Sequence, residues 1–409
     1  MNFEYSPKVQ SLRNDIIQFM DAHVFPIERE RDRFTHDPAN LWRPWPGIET
    51  IKANARDAGL WNLFLPREYA PWSPGLSNLE YAPLAELMGQ VSGASEYFNC
   101  QAPDTGNMEI LARYGTAEQQ ERWLKPLLAG ELRSAYAMTE PGVASSDAAN
   151  IATTIIADGD DYVINGRKWW ISGVMDPRCA FYILLGRTPD ENVSRHNQHS
   201  QIIIPANTPG IEIIRPLTVF DSLHSPGGHC EIQFTNVRVP KSNMLVGPGR
   251  GFAIAQGRLG PGRIHHCMRL IGMAQRAIEW MAWRVEERVV FGRKLAEKSS
   301  IRQDIAKSYC EIEQARLLTL KAADAMDRHG NKVARDLIGA IKIVAPTMVQ
   351  NVADRAMQAH GAMGFTQDTP IANIWLTARY LRMADGPDEA HMSQLGKLKI
   401  AEYRAIAKR

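Results

Sequence analysis

The fold class that the sequence predicts is mainly α with a central β domain, and three observations predict it. Apolar residues recur at helical spacing up to about residue 133, the period shortens to two from Ala135, and long helical stretches return after Met244. With 409 residues the chain can hold two or three domains with a substantial core. We expect an N-terminal helical domain over 1–133, a middle antiparallel β-barrel or sandwich over 134–246, and a C-terminal four-helix bundle over 247–409.

Ser6-Pro7 is a cap and first-turn pair, and Val9, Leu12, Ile16, Phe19 and Met20 follow at helical spacing to about Phe25-Pro26. Further helices are expected at Glu49–Ala58, Leu79–Gly89, Asn107–Tyr114 and Ala117–Leu128, the last capped by Thr116. Residues 151–172 read as two strands around Asp158-Gly159, with Asn165-Gly166 as a second turn. Short strands at 180–186, 201–205, 211–216 and 229–239 complete the β domain. Past Gly247-Pro-Gly-Arg-Gly251, helices are expected at 264–290, 301–328, 332–360 and 370–384, with a last one at 388–407; their short connections suggest an antiparallel bundle.

Composition narrows the function. A formal net charge of +2 with no run of like charge gives no sign of a polyanionic partner, so nucleic acid is not expected. Cys100, Cys179, Cys230, Cys267 and Cys310 are widely spaced, with neither a Cys-x-x-Cys nor a Cys/His cluster, so neither a disulfide framework nor a metal site is expected. Met1-Asn-Phe-Glu-Tyr-Ser-Pro-Lys8 lacks a basic start with an apolar run, and no stretch reaches the roughly 18 apolar residues of a membrane span. A soluble cytoplasmic protein is the expectation.

Four patterns can carry chemistry. Tyr136-Ala-Met-Thr-Glu-Pro-Gly-Val-Ala-Ser-Ser-Asp147 is a strand that breaks into a small, hydroxyl-rich loop, able to bring backbone N–H groups and Ser145 or Ser146 to a ligand. Trp169-Trp170-Ile171-Ser172 offers an aromatic face and a hydroxyl. Arg288-Val-Val-Phe-Gly292 pairs a guanidinium able to grip a pyrophosphate with the aromatic Phe291. Gln358-Ala-His-Gly-Ala-Met-Gly364 has glycines that allow close approach of a diphosphate. Each is more often structural when alone; in this order a single flavin site could use all four.

In that order the patterns resemble the acyl-CoA dehydrogenase family over essentially the whole chain. Tyr-x-x-Thr-Glu-Pro-x-x-Gly-Ser-Asp is similar to Tyr136–Asp147, with Ala144 for the glycine and one extra serine. Trp-Ile-Thr/Ser is similar to Trp170–Ser172, Val-x-Phe-x-x-Val-x-Val-Pro to Ile232–Pro240, Arg-x-x-Phe-Gly to Arg288–Gly292, and Gln-x-x-Gly-Gly-x-Gly to Gln358–Gly364 with Ala362 for a glycine. Within the family the chain looks closest to the long-chain or branched-chain members related to eukaryotic proteins that fuse this module to a kinase-like domain, a domain not expected here.

The resemblance implies FAD, an acyl-CoA substrate, an electron-transfer flavoprotein as electron acceptor, a role in fatty acid β-oxidation, and a homotetramer or homodimer with FAD at the subunit interface. It implies that Tyr136, Met138, Thr139, Trp170 and Ile171 border the flavin ring and that Ser172 bonds the ring near its hydride-accepting nitrogen. Ser145 is implied to lie by the cofactor phosphates and substrate, and Arg288, Phe291, Gln358, Gly361 and Gly364 to hold the adenosine diphosphate end. Pro387 and Glu389 are implied cofactor contacts; Arg263 and Gly386 are implied substrate contacts. Gly260 stands where the family has an aspartate that partners this arginine.

Removal of an α proton beside a thioester needs a desolvated base and a stabilised enolate. The family places a glutamate in a Glu-Gly-Thr turn near the C-terminus, and Asp385-Gly-Pro387 matches it, so Asp385 is the expected catalytic base. Its carboxylate reaches roughly 1.5 Å less far, which adjustment at Gly386-Pro387 must make up. The second family position for the base, next to Arg263, holds no carboxylate here. Asp385 also suits a helix N-cap, but Asp388 serves that purpose equally well, and Glu389 suits the helix dipole. His265 and His266 read as a packed or solvated helix face. The missing aspartate and the shortened base are expected to leave extra room for a bulky, branched or hydroxylated acyl group. Alternative readings are a related oxidase of the nitroalkane oxidase or acyl-CoA oxidase type, or a non-catalytic FAD-containing nucleic-acid binder, which the lack of a basic C-terminal extension disfavours.

Overall fold

The structure, a computed structural model, describes residues 4–407; Met1–Phe3, where the N-terminal reading began, and Lys408–Arg409 lie outside the described residues. The chain divides into two compact units, one of Met1–Phe25, Leu76–Ser95 and Gly260–Arg409, the other of Pro26–Gly75 and Glu96–Leu259. We call them the bundle unit and the sheet unit.

In the bundle unit, α1 (Pro7–Phe19) starts at the expected cap, where Ser6 Oγ accepts from Val9 N at 3.3 Å, and it buries Val9, Ile16 and Phe19. α4 (Asn78–Gly89) opens on a capping box of Ser77 and Glu80. Asp327 on α9 (Ser299–His329) accepts from Asn78 N at 3.0 Å, and Arg316 of α9 pairs with Glu86 of α4 at 2.8 Å. Gly330, at φ 76, reverses the chain between α9 and α10 (Asn331–His360), making a helical hairpin. α11 (Ile371–Leu381) and α12 (Asp388–Ala407) pack on α10. α8 (Gly251–Glu287), which belongs to this unit from Gly260 onward, begins thirteen residues before the expected start at Ile264 and carries Pro261 inside it. Gly257, Gly260, Pro261 and Gly262 read as helix breakers in sequence, but packing overrides propensity, with Leu259, Pro261 and Ile264 buried.

In the sheet unit, α3 (Ile48–Asp57), α5 (Asp104–Tyr114), α6 (Ala117–Gln119) and α7 (Lys125–Ala129) fall where expected, and Thr116 caps α6. The charged α2 (Glu28–His36) buries no residue, so it carries no apolar stripe to betray it. The strands are β1 (Arg133–Ala137), β2 (Thr154–Asp158), β3 (Asp161–Ser172), β4 (Cys179–Arg187), β5 (His199–Pro205), β6 (Ile211–Leu217) and β7 (His229–Pro240). They form one seven-stranded sheet in the order β1-β4-β2-β3-β7-β6, with β5 on β4. Ile155, Ile164, Tyr182, Ile202, Ile204, Ile232 and Phe234 fill its core.

Two expectations are corrected. The sheet is mixed rather than antiparallel throughout, because β1 and β2 both run parallel to β4; a period of two is the same for either direction. Asn165-Gly166 is a bulge inside β3, not a turn: the register slips between Ile164 and Gly166, and a Cβ on Gly166 would sit 2.3 Å from Thr153 Oγ1.

Candidate active site

Asp385 sits on the turn between α11 and α12, in the bundle unit. The backbone reverses there through left-handed residues, Asp385 at φ 57 and Gly386 at φ 107. Such a conformation is strained for aspartate and persists because the surroundings hold it. Lys342 of α10, 1% exposed, donates to the carbonyls of Leu381 at 2.6 Å and Ala384 at 2.7 Å, and Arg263 Nε donates to the Asp385 carbonyl at 3.0 Å. Both cations therefore hold the turn in place. Arg263, the expected substrate contact, thus has its Nε on the acid's backbone.

The Asp385 side chain, 19% exposed, lies 3.4 Å by Oδ2 from His266 Nε2. Arg269 Nη2 stands 3.1 Å from His266 Nδ1, and arginine can only donate, so Nδ1 is the unprotonated nitrogen and the proton sits on Nε2, facing the carboxylate. Burial and Arg269 push the His266 pKa down, against the pull of Asp385, which keeps the ring neutral. The sequence reading of His266 as a bland helix face is thus corrected: it partners the acid. Its neighbour His265 is buried, with its ring edge-on to Tyr81 at 5.2 Å, and burial drives its pKa to about 3.

Gly262, next to Arg263, brings no side chain to the acid; a Cβ built on it would lie 3.6 Å from Asp385 Oδ2. Gly260, by contrast, leaves no extra room, because a Cβ there would meet Asn331 Oδ1 at 2.1 Å. Asn331 occupies the volume that the missing aspartate was expected to vacate. The rivals for the base are also placed. Asp388 is buried and its Oδ2 accepts from Arg382 Nε at 2.6 Å, while Glu389 is exposed on the first turn of α12. Pro387 is half-buried, and Gly386 lies against His391, whose Nε2 is 2.9 Å from a Cβ built there.

The sheet unit presents a second group. Tyr136 is buried, with Arg258 stacked 4.0 Å over its ring and its hydroxyl accepting from Gln201 at 3.1 Å. Met138 and Thr139 are half-buried, and their carbonyls accept from Lys168 Nζ at 2.8 Å and Trp169 N at 2.9 Å. Glu140 anchors the loop: its carboxylate accepts from Lys168 Nζ at 2.8 Å and from the backbone of Ala152 and Thr153 at 2.8 and 2.9 Å. Ser145 Oγ accepts from Glu140 N at 2.9 Å and so closes the loop on itself. A second bulge in β3, between Lys168 and Ile171, puts Trp170 at φ 55 and turns its ring outward, 42% exposed, while Ile171 stays in the core. Ser172 is paired in register with His229 of β7, and its Oγ lies 2.8 Å from His229 Nδ1; His229 Nε2 in turn lies 3.1 Å from His224 Nδ1. This chain of three was not read from sequence, because His224 and His229 meet Ser172 only through the β3–β7 register.

The remaining expected residues lie in the bundle unit, most of them exposed. Arg288 is exposed just past α8, Phe291 is 96% exposed at φ 50 in the tight hairpin of Val289–Val290 with Arg293–Lys294, and Gln358 is exposed near the end of α10. Gly361, at φ 65, has nothing within 4 Å of a built Cβ, so ligand backbone approach is open there. Gly364 is different. A Cβ on it would lie 2.8 Å from the Met357 backbone, so the turn's own packing accounts for that glycine. Among the described residues no cluster of three or more His, Cys, Asp or Glu could hold a metal, and no helix is long and apolar enough to cross a membrane.

Three family models match in series: acyl-CoA dehydrogenase N-terminal domain at residues 6–131, middle domain at 135–237 and C-terminal domain at 249–399. Acyl-CoA dehydrogenase family member 10 of Mus musculus is 54% identical over 97% of this chain, which spans 37% of that protein. The probable acyl-CoA dehydrogenase IBR3 of Arabidopsis thaliana is 50% identical over 96% of this chain and 50% of its own length. The probable acyl-CoA dehydrogenase FadE2 of Mycobacterium tuberculosis is 51% identical over 99% of this chain and 98% of its own. A solved structure from Mycobacterium abscessus matches with a TM-score of 0.94 at 47% identity, covering 98% of this chain and 100% of that one. The FAD complex of PigA shares the fold at a TM-score of 0.83 and 20% identity.

Proposed function

This chain belongs to the acyl-CoA dehydrogenase family, and from that premise we propose that it is an FAD-dependent oxidoreductase that forms an α,β double bond in an acyl-CoA thioester. The observation that carries the reading is Asp385, held on a left-handed turn by Lys342 and Arg263 and faced by the neutral Nε2–H of His266.

The residues present suit FAD. Trp170 turns an exposed aromatic face outward next to the Ser172 hydroxyl, and Arg288, Phe291, Gln358 and the open Gly361 offer a cation, a ring, an amide and bare backbone to the nucleotide end. When bound, the flavin supplies a hydride acceptor. Thr139 and Ser172 of the sheet unit would orient the ring by hydrogen bonds. In the bundle unit, Asp385 would take the α proton on Oδ2 while His266 holds the carboxylate in place. Gly262 brings no side chain against that oxygen. Electrons pass to an electron-transfer flavoprotein, and the protein works in fatty acid β-oxidation in the cytoplasm as a homo-oligomer. The three domains at 1–133, 134–246 and 247–409 belong to the same reading.

The test is anaerobic titration of the FAD-loaded protein with a panel of straight, branched and hydroxylated acyl-CoA thioesters, following visible flavin absorbance. Bleaching by at least one thioester is expected; a flavin that stays oxidised with all of them overturns the proposal. Rapid reoxidation by air after bleaching would replace the dehydrogenase with an oxidase.

A further inference from the structure

We propose that Ser172, His229 and His224 form a proton path that leads from the flavin edge outward through the sheet unit, a role that rests on the reading of Ser172 as a ring contact. Three neutral groups stand in line: Ser172 Oγ to His229 Nδ1 at 2.8 Å, then His229 Nε2 to His224 Nδ1 at 3.1 Å. Each contact holds one proton, and a neutral imidazole has one N–H and one bare nitrogen, so the line has two self-consistent arrangements. In the first, both rings carry the proton on Nδ1, and Ser172 donates away from His229. In the second, both carry it on Nε2, and Ser172 donates to His229 and is left to accept.

The register of β3 and β7 fixes the first contact, and the rings stay close by packing, with His229 and His224 centroids 5.2 Å apart. Burial pushes His229 down to about 4 and also lowers His224, so both rings remain neutral and able to take either arrangement. His36 of α2, which is exposed, is near enough to His224 to lower its pKa further.

The two arrangements match the two states of a flavin, whose ring nitrogen accepts a hydrogen bond when oxidised and donates one when reduced. During reoxidation two electrons leave for the external electron acceptor, the flavoprotein of the reading above. Ser172 Oγ takes the one ring proton that must leave with them, and gives its own hydroxyl proton to His229 Nδ1. His229 releases its Nε2 proton to His224 Nδ1, and His224 releases its Nε2 proton to water. Every group ends neutral, with both imidazole protons moved from Nε2 to Nδ1.

The test is nitrogen NMR of the FAD-loaded protein with ¹⁵N-labelled histidine, before and after reduction with dithionite, with H229Q and H224Q to assign signals. The expected result is Nδ1–H for both rings when oxidised and Nε2–H for both when reduced; tautomers that do not respond to reduction overturn the path. As a second readout, His224→Gln should slow reoxidation by an electron acceptor about a hundredfold, with partial rescue by added imidazole. Unchanged reoxidation in H224Q overturns it as well. A wild-type protein that takes up no FAD overturns the functional reading together with the path, whereas normal bleaching with unresponsive tautomers sinks the path alone.

Discussion

In the proposed reaction Asp385 and His266 would divide one task between them. Asp385 has a carboxylate one methylene shorter than the family's glutamate, on a turn that is left-handed at Asp385 and Gly386. Asp385→Asn should fold and hold FAD but bleach at least about a thousandfold more slowly with acyl-CoA, because an amide cannot accept the proton; stopped-flow absorbance reads this directly. His266 acts on basicity. Its Nε2–H stabilises the ionised carboxylate, so His266→Ala should raise the acid's pKa and move the acid limb of the bleaching rate to higher pH. A hydrogen bond to a charged group is worth about 1.5–3 kcal/mol, which corresponds to about one to two pH units. A profile that keeps its position would show that the 3.4 Å contact does not set the acid's strength. The turn that carries the acid was legible because Asp385-Gly-Pro387 separates two helical stretches. His266 was not, since which face of α8 meets the acid depends on how the helix packs, and Gly260 misled because Asn331 reaches its space from far along the chain.

The elements that present these residues are held by buried charges. Lys168 is fully buried on β3, and Glu140, 5% exposed, is the carboxylate that receives it together with two backbone N–H groups. Burial alone would raise the Glu140 pKa, but Lys168 and those donors hold it below the ordinary range, while burial lowers Lys168 to about 8. Lys168→Met leaves the carboxylate buried without its partner and should destabilise the protein by about 3–5 kcal/mol in urea unfolding, with Glu140→Gln in the same chain recovering part of the loss. A single variant as stable as the parent would mean that the loop from Glu140 to Thr153 does not depend on the pair. At this scale period-two segments and the Asp158-Gly159 turn were readable, since alternation is a local property. The parallel pairing of β1 with β4, the bulge at Gly166 and the uniformly charged α2 were not, because each is decided by neighbours distant in sequence or by a surface without an apolar stripe.

For the whole molecule, several histidines are buried neutral, and folding must exclude their protons. Burial, with Arg269 and His266 nearby, drives His265 to about 3, against an ordinary value of 6.5. Between pH 6.5 and about 3 the unfolded chain therefore binds a proton that the folded chain refuses, so this contribution to stability is lost as pH falls through that window. At pH 5 it amounts to about 2 kcal/mol, and His265→Leu should flatten the fall of Tm with acid by a corresponding amount. An unaltered slope would place the acid sensitivity elsewhere. Cofactor binding acts in the opposite direction: free FAD at about a hundred times its Kd should add about 2.7 kcal/mol, seen as a rise in Tm. Arg288→Ala should lose most of that rise, and a variant purified yellow, with its Tm still raised by FAD, would remove Arg288 from the nucleotide end.

The bulge in β3 that places Trp170 at φ 55 leaves this indole exposed, and on the proposed reading it would serve as an optical gauge. Energy transfer to a nearby isoalloxazine quenches indole emission, so filling of the protein by its nucleotide can be followed from fluorescence alone, without substrate or turnover. Trp170→Phe separates that signal from the emission of the other tryptophans.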